Sequence, residues 1–255
     1  MEILEFGSKN NKKIVFIPGL LCAWQIWKEY IEFYKNDYHI IIPILPGHNP
    51  NEKEEFISIE KTTIDFENIY IKNYGNNIYA IYGMSMGGVL ATKLLENKKI
   101  IIDKVILEGT PLASYNKIIE VIIKKSYLLA THQIKKRNKI IINIAKNVVY
   151  PKDSTQYFLR MIDNVKDKTI INYIKELGKY KLKRDLDLSD TEIYYCYGSK
   201  ISETVSKKSA RYIKKYYPQI YIKCFKGKGH CENFCSDTKQ RIEMLEKLIS
   251  LNNMI

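Results

Sequence analysis

The sequence predicts an α/β fold: a mostly parallel central sheet flanked by helices, with a helical cap insertion ahead of the last two strands. Three observations carry this expectation. Six short runs, Lys13–Ile17, His39–Ile44, Asn77–Tyr82, Lys104–Leu107, Glu192–Tyr197 and Ile220–Phe225, are rich in β-branched residues or nearly continuous in apolar ones, as strands covered on both faces are. Longer segments of helical character alternate with them, the repeat expected of strand-helix units. From Leu112 to Leu188 the alternation stops and only Ile- and Lys-rich helical stretches are legible.

Taken in chain order, Met1-Glu2-Ile3-Leu4-Glu5-Phe6 adds an edge strand, and Lys13–Ile17 runs into Pro18-Gly19. A helix over Trp24–Tyr34 leads to His39–Ile44, which closes on the turn Leu45-Pro46-Gly47-His48-Asn49. Ile57–Tyr70 reads as a helix, Asn77–Tyr82 as a strand and Met86–Leu95 as a helix opened by glycines. Lys104–Leu107 is followed by Glu108-Gly109-Thr110-Pro111 and then by the insertion, with breaks expected at Pro151, Asp153-Ser154 and Gly178. Glu192–Tyr197, a helix over Glu203–Tyr217, Ile220–Phe225 and a helix over Thr238–Leu251 complete the order. The insertion lies between two sheet strands and is expected to sit on the sheet as a cap. That gives one domain, 1–255, with core 1–111 and 189–255 and cap 112–188.

Composition agrees with one folded core. The chain has 255 residues, 45% hydrophobic and 27% charged, with 12 Gly and 7 Pro, which excludes collagen-like and low-complexity classes. Its 41 basic and 28 acidic residues leave a net charge of +13, a balance that favours anionic partners in general. Ile, Lys, Asn and Tyr are over-used together, however, and AT-rich codons encode all four. The runs Lys135–Lys139 and Lys181–Arg184 are of the kind that attract anionic substrates, lipid headgroups or nucleic acid, but read most simply as solvated helix faces. No aromatic-interleaved basic motif accompanies them, so nucleic acid is not an expected partner. Five Cys at irregular spacing, a charged N-terminus and no apolar run long enough to span a bilayer point to the cytoplasm and to no integral membrane contact.

The chemistry concentrates at Gly83-Met84-Ser85-Met86-Gly87-Gly88. G-x-S-x-G between a strand and a helix is the pattern of a nucleophile elbow, in which a sharp turn lifts the serine hydroxyl above the sheet and the flanking residues are small so that backbones can approach. A serine needs a base, and the chain has four His. His39 falls in a strand, His132 precedes the basic run of the cap, and His48 lies in a turn. His230, in the loop Lys226-Gly227-Lys228-Gly229-His230-Cys231 after the last strand, is the expected base.

These motifs resemble the α/β-hydrolases, in which nucleophile, acid and histidine follow in that chain order. Ile14-Val15-Phe16-Ile17-Pro18-Gly19-Leu20-Leu21, with Trp24 and Trp27 beyond, resembles the family's strand and oxyanion loop, with Pro18-Gly19 where relatives usually carry His-Gly. Pro46-Gly47-His48 resembles the family's next turn. The resemblance, over about residues 1–110 and 188–255, implies the backbone N–H groups of Leu20 and Met86 as oxyanion donors. It places the acid three residues after Gly198, where this chain has Ile201. Glu203, two residues later, is preferred as the acid, and Glu108, at a strand end that some relatives use, is the alternative.

The implied activity is hydrolysis of a small-molecule carboxylic ester or thioester through an acyl-enzyme on Ser85, with an apolar acyl group suggested by the Tyr- and Ile-rich cap. Transfer to an acceptor other than water, cleavage of another bond, and a hydrolase-like binding protein with little turnover are the alternatives. No cofactor is implied. His230, Cys231 and Cys235 lack the second ligand pair that a zinc site needs, so no metal is expected, and Cys22, Cys231 and Cys235 read as small buried hydrophobes.

Overall fold

The computed structural model describes residues 1–52, 54–149 and 155–232, together with Ile242, Glu243, Leu245, Glu246, Leu248 and Ile249. Most of the expected helix Thr238–Leu251, as well as Cys235 and the breaks at Pro151, Asp153 and Ser154, lies outside these residues.

The strands are β1 (Glu2–Phe6), β2 (Lys12–Ile17), β3 (Tyr38–Ile44), β4 (Asn77–Met84), β5 (Ile101–Glu108), β6 (Glu192–Gly198) and β7 (Tyr221–Phe225). They form one sheet in the order β1-β3-β2-β4-β5-β6-β7. Only β1 is antiparallel to its neighbour, as an added edge strand, and every other pairing is parallel. Alternation along the strands explains why both faces are covered. Val15, Ile17, Ile81, Val105 and Leu107 point to the face that packs against α2 (Ile59–Tyr74) and α3 (Met86–Asn97). Ile14, Phe16, Ala80, Tyr82 and Ile106 point to the other face, beneath α1 (Lys28–Tyr34) and the described C-terminal residues Leu245 and Ile249.

The strand order also fixes where a site can form. From β2 the chain steps outward to β3, then returns across β2 to β4 and continues the other way. The loops leaving the C-terminal ends of β2 and β4 therefore part in opposite directions and open a crevice. Ile17 and Gly83 are register partners there, so the segment at Gly19 and the elbow at Ser85 emerge side by side.

Between β5 and β6 lie α4 (Lys117–Lys135), α5 (Lys139–Val149), α6 (Thr155–Asn164) and α7 (Asp167–Lys179). Asn116 caps α4, its side-chain oxygen accepting from the Ile119 N–H at 2.9 Å. Arg137, left-handed at φ 60°, separates α4 from α5, a break that no Gly or Pro marks in the sequence. Gly178, expected as a break between helices, lies in the last turn of α7. There a Cβ would come within 3.1 Å of the Tyr115 ring. The insertion is tied to the loop after β3: Tyr173 stacks on Phe56 at 3.4 Å and its hydroxyl donates to the Pro46 carbonyl at 3.0 Å. Helix α8 (Thr204–Tyr216) follows a 3-10 turn at Ile201–Glu203, and the described residues Ile242, Glu243, Leu245, Glu246, Leu248 and Ile249 are helical as well.

Candidate active site

Ser85 occupies a conformation that L-residues seldom adopt, φ 50° and ψ −110°, between β4 and α3. Two glycines allow it. A Cβ at Gly83 would lie 2.5 Å from the Cα of Gly88, and one at Gly87 would overlap the Ile17 carbonyl of the neighbouring strand. The turn is pinned from the other side, where the Ser85 N–H donates to the Glu108 carbonyl at 2.7 Å. Backbone strain of this kind persists where the surroundings over-determine it.

The structure brings Ser85, His230 and Glu203 together. His230 Nε2 lies 3.0 Å from Ser85 Oγ, and Nδ1 lies 3.2 Å from Glu203 Oε2. One tautomer serves both contacts: Nδ1–H donates to the carboxylate while Nε2 accepts from the serine hydroxyl. Glu203 is almost wholly buried, and its second oxygen accepts from the Gly198 N–H at 3.3 Å. The 3-10 turn at Ile201–Glu203 takes up the two extra residues that separate Glu203 from the position the family resemblance implies. Glu108 is not brought to His230. Its buried carboxylate accepts from the Tyr82 hydroxyl, a residue of the sheet face beneath α1.

The histidine loop rests on contacts that no motif announces. The Lys228 carbonyl accepts from the Lys200 N–H at 2.9 Å, the His230 N–H donates to Ser202 Oγ at 3.2 Å, and the Gly229 N–H donates to Glu232 at 2.7 Å. Gly109, at φ 61°, makes room for the imidazole, since a Cβ there would lie 2.8 Å from His230 Cε1.

Burial raises the Glu203 carboxyl, but the hydrogen bond and charge of His230, with the Ser206 hydroxyl and Gly198 N–H, outweigh it and hold it below the usual carboxylate range. Burial works against a charged His230, yet its partners raise it well above the usual imidazole value. Cys231 and Glu203 are those partners. Burial pushes the Cys231 thiol up to about 12, which leaves it neutral, so the Glu203 carboxylate is the effective cause.

The segment after β2 forms the other wall. Leu21 has φ 58°, and its N–H donates to His48 Nε2 at 2.9 Å. The other ring nitrogen, Nδ1, carries its proton toward the Pro46 carbonyl at 3.2 Å. Burial pushes the His48 imidazole down to about 4, the Pro46, Gly19 and Leu45 carbonyls opposing only in part, so the ring is neutral and accepts from Leu21. The sequence offered His48 as a turn residue; that it reaches back across the crevice becomes visible only once β2 and β3 are adjacent. Leu20 lines the crevice beside Ser85 and His230. Met86 is the first residue of α3, where an N–H has no acceptor within its own helix. His39 and His132 are engaged elsewhere, with Glu5 at 2.9 Å and Asp167 at 2.8 Å.

Above these groups is a cavity of about 380 Å³, walled by the Gly19–Cys22 segment, by Tyr127, Thr131 and Ile134 of α4, by Ile141 and Ile144 of α5, and by Phe158 and Ile162 of α6. Among the described residues that line it, none is Lys, Arg, Asp or Glu. Cys22 and Cys231 border it as free thiols, and among the described residues no three His, Cys, Asp or Glu side chains gather as metal ligands. No described helix is long and apolar enough to cross a membrane.

Residues 12–132 match a family described as the alpha/beta hydrolase fold, and no curated protein sequence matches the chain. Among solved structures, an α/β-hydrolase family protein of Desulfitobacterium hafniense is similar at a TM-score of 0.75 and 16% identity, over 98% of this chain and 100% of that one. A carboxylesterase of Nitrososphaera gargenis is similar at 0.74 and 12%, over 97% and 93%. The bromoperoxidase of Bacillus anthracis is similar at 0.75 and 16%, over 98% and 95%. At such identities the likeness is one of architecture. Joined to the match over residues 12–132, it shows that this chain has the α/β-hydrolase fold.

Proposed function

We propose that the protein is a serine hydrolase that cleaves a small carboxylic ester or thioester with an apolar acyl group. The observation that carries this reading is the continuous hydrogen-bonded series Ser85–His230–Glu203 at the floor of an uncharged cavity. Ser85 Oγ attacks the substrate carbonyl carbon as His230 Nε2 takes its proton. Glu203 holds the ring in the required tautomer and stabilises the imidazolium. The backbone N–H groups of Leu20 and Met86 receive the oxyanion, each donor contributing about 3 kcal/mol. His230 then protonates the leaving alcohol or thiol, and the acyl group remains on Ser85. Water, deprotonated by the same nitrogen, attacks the acyl-enzyme and releases the acid.

His48 supports this machinery as a positioning residue: by accepting from Leu21 it fixes the loop that presents the Leu20 N–H. Helices α4 to α6 act as the cap that shapes the acyl pocket. The uncharged wall favours a hydrocarbon acyl chain, and the volume suits a small ligand. The carboxylesterase of Nitrososphaera gargenis, similar in architecture, is in keeping with ester chemistry.

Labelling with a fluorophosphonate tests the reading without knowledge of the substrate. The expected result is a single adduct on Ser85, absent from Ser85→Ala, with turnover of butyryl or longer esters exceeding that of acetyl. A folded wild-type protein that takes no label over hours returns the chain to the class of hydrolase-like binding proteins.

A further inference from the structure

We propose that the outer face of α4 and α5 is a docking surface for anionic lipid bilayers, an inference that rests on the ester-hydrolase reading for its purpose but not for its test. Helix α4 is apolar on two opposite sides. Tyr127, Thr131 and Ile134 face the cavity, while Ile118, Ile122 and Leu129 form a second stripe, 71%, 58% and 63% exposed. At 100° per residue this stripe lies across the helix from the cavity side. A helix apolar on both sides requires cover on both, and the described residues supply it on one. On α5, Ile140 and Ile144 are 72% and 55% exposed. Ile144 also lines the cavity, so the exposed apolar surface reaches the cavity's edge.

Charge selects the occupant. Residues 117–149 contain eight Lys or Arg and one acidic residue, Glu120, which is paired with Lys117 at 3.1 Å. Lys125 and Lys136 fall on the exposed stripe itself, and Lys139 opens α5. A second copy of the chain would bring like charges together across a two-fold contact. An anionic bilayer instead accepts both features, with Ile and Leu entering the acyl boundary while the lysine stems extend their ammonium groups to the headgroups. Docked there, an enzyme with an uncharged cavity meets esters that partition into lipid rather than water.

The test uses Ser85→Ala, so that binding is read without turnover, and vesicles of phosphatidylcholine alone or with about 30% phosphatidylglycerol. The protein is expected to sediment with the anionic vesicles, at least about tenfold more weakly with the neutral ones, and to be released as salt rises. Lys125→Gln with Lys136→Gln weakens anionic-vesicle binding roughly 30-fold, and Ile122→Ser with Leu129→Ser about tenfold. In the Ser85 background both pairs keep wild-type turnover of a soluble ester, which also shows that they fold. A folded wild-type chain that takes no fluorophosphonate label on Ser85 while vesicle binding persists refutes the hydrolase reading and leaves the docking surface standing. Equal binding to both vesicle types, binding to neither, or a dimer in sedimentation velocity that Ile122→Ser with Leu129→Ser disrupts, overturns the lipid proposal.

Discussion

The crevice at the sheet edge and the helical wall above it are built on different principles. The floor is made of backbone: a serine at φ 50°, a left-handed Leu21 and a Gly109 that yields its side-chain space to an imidazole. Each element there is set by one hydrogen bond or one missing Cβ, and few residues satisfy each position. The wall is made of exchangeable side chains, Ile134, Ile141, Phe158 and Ile162, whose requirement is apolar volume. Such surfaces tolerate substitution as long as volume is kept. On the proposed hydrolase reading, chemistry resides in the rigid half and substrate selection in the adaptable half, a division that can be broken from either side.

The largest expected effect is at the acid. Glu203→Gln keeps the side-chain shape but removes the charge that orients and stabilises His230, and kcat is expected to fall roughly a thousand- to ten-thousand-fold. The pH profile gives the sharper reading. Turnover requires neutral His230, and Glu203 raises the imidazole pKa of the free protein, so the acid limb of wild-type kcat/KM lies above the ordinary imidazole value. Removing the carboxylate lowers that pKa, and the acid limb of the residual activity moves to lower pH. Glu108→Gln leaves the limb in place and keeps kcat within about tenfold of wild type, because its carboxylate is bonded to Tyr82 and not to His230. An acid limb that moves for Glu108→Gln and stays for Glu203→Gln reverses the assignment.

A smaller effect is expected where the floor is held at one remove. His48→Ala leaves the Leu21 N–H without its acceptor, and kcat should drop about ten- to a hundredfold, the scale of misaligning one oxyanion donor, with KM little changed. Gln at this position retains a carbonyl acceptor and should recover part of the loss. Because burial keeps the wild-type imidazole down at about 4, it contributes no ionisation to the profile near neutrality. A His48→Ala enzyme that loses through KM alone would show that the ring supports substrate contact rather than the donor loop.

The same division explains how much could be read from the sequence. Gly83 to Gly88 announced the elbow because steric demands leave so few residues possible there, and the sequence announced six strands of a mostly parallel sheet and an edge strand at Met1–Phe6, whose antiparallel pairing with β3 comes from the structure. The acid was harder, since Glu203 stands two residues beyond the expected position and only the 3-10 turn at Ile201–Glu203 absorbs the difference. Gly109, Ser202 and the reach of His48 to Leu21 were illegible, because each acts through a contact that exists only after distant strands align. In the insertion the helices were visible as a class, but the turn at Arg137 carries neither Gly nor Pro, and nothing in an Ile-rich helix distinguishes the residues that face the cavity.

The smallest effect belongs to that wall and is the one that separates selection from chemistry. Ala130 lies on α4 and borders the cavity, and it is not part of the Ser85–His230–Glu203 series. Ala130→Leu narrows the space assigned to the acyl chain, and excluding a single methylene from such a pocket costs roughly 1–3 kcal/mol. The expected outcome is about a tenfold loss of kcat/KM for octanoyl esters, near-wild-type values for acetyl esters and an unchanged rate of fluorophosphonate labelling at Ser85. A uniform loss across chain lengths, with slower labelling, would mean that α4 supports the catalytic floor directly and that the two halves are one machine. A loss confined to the long esters would fix the cavity beneath α4 as the acyl site, with the reactive centre indifferent to what fills it.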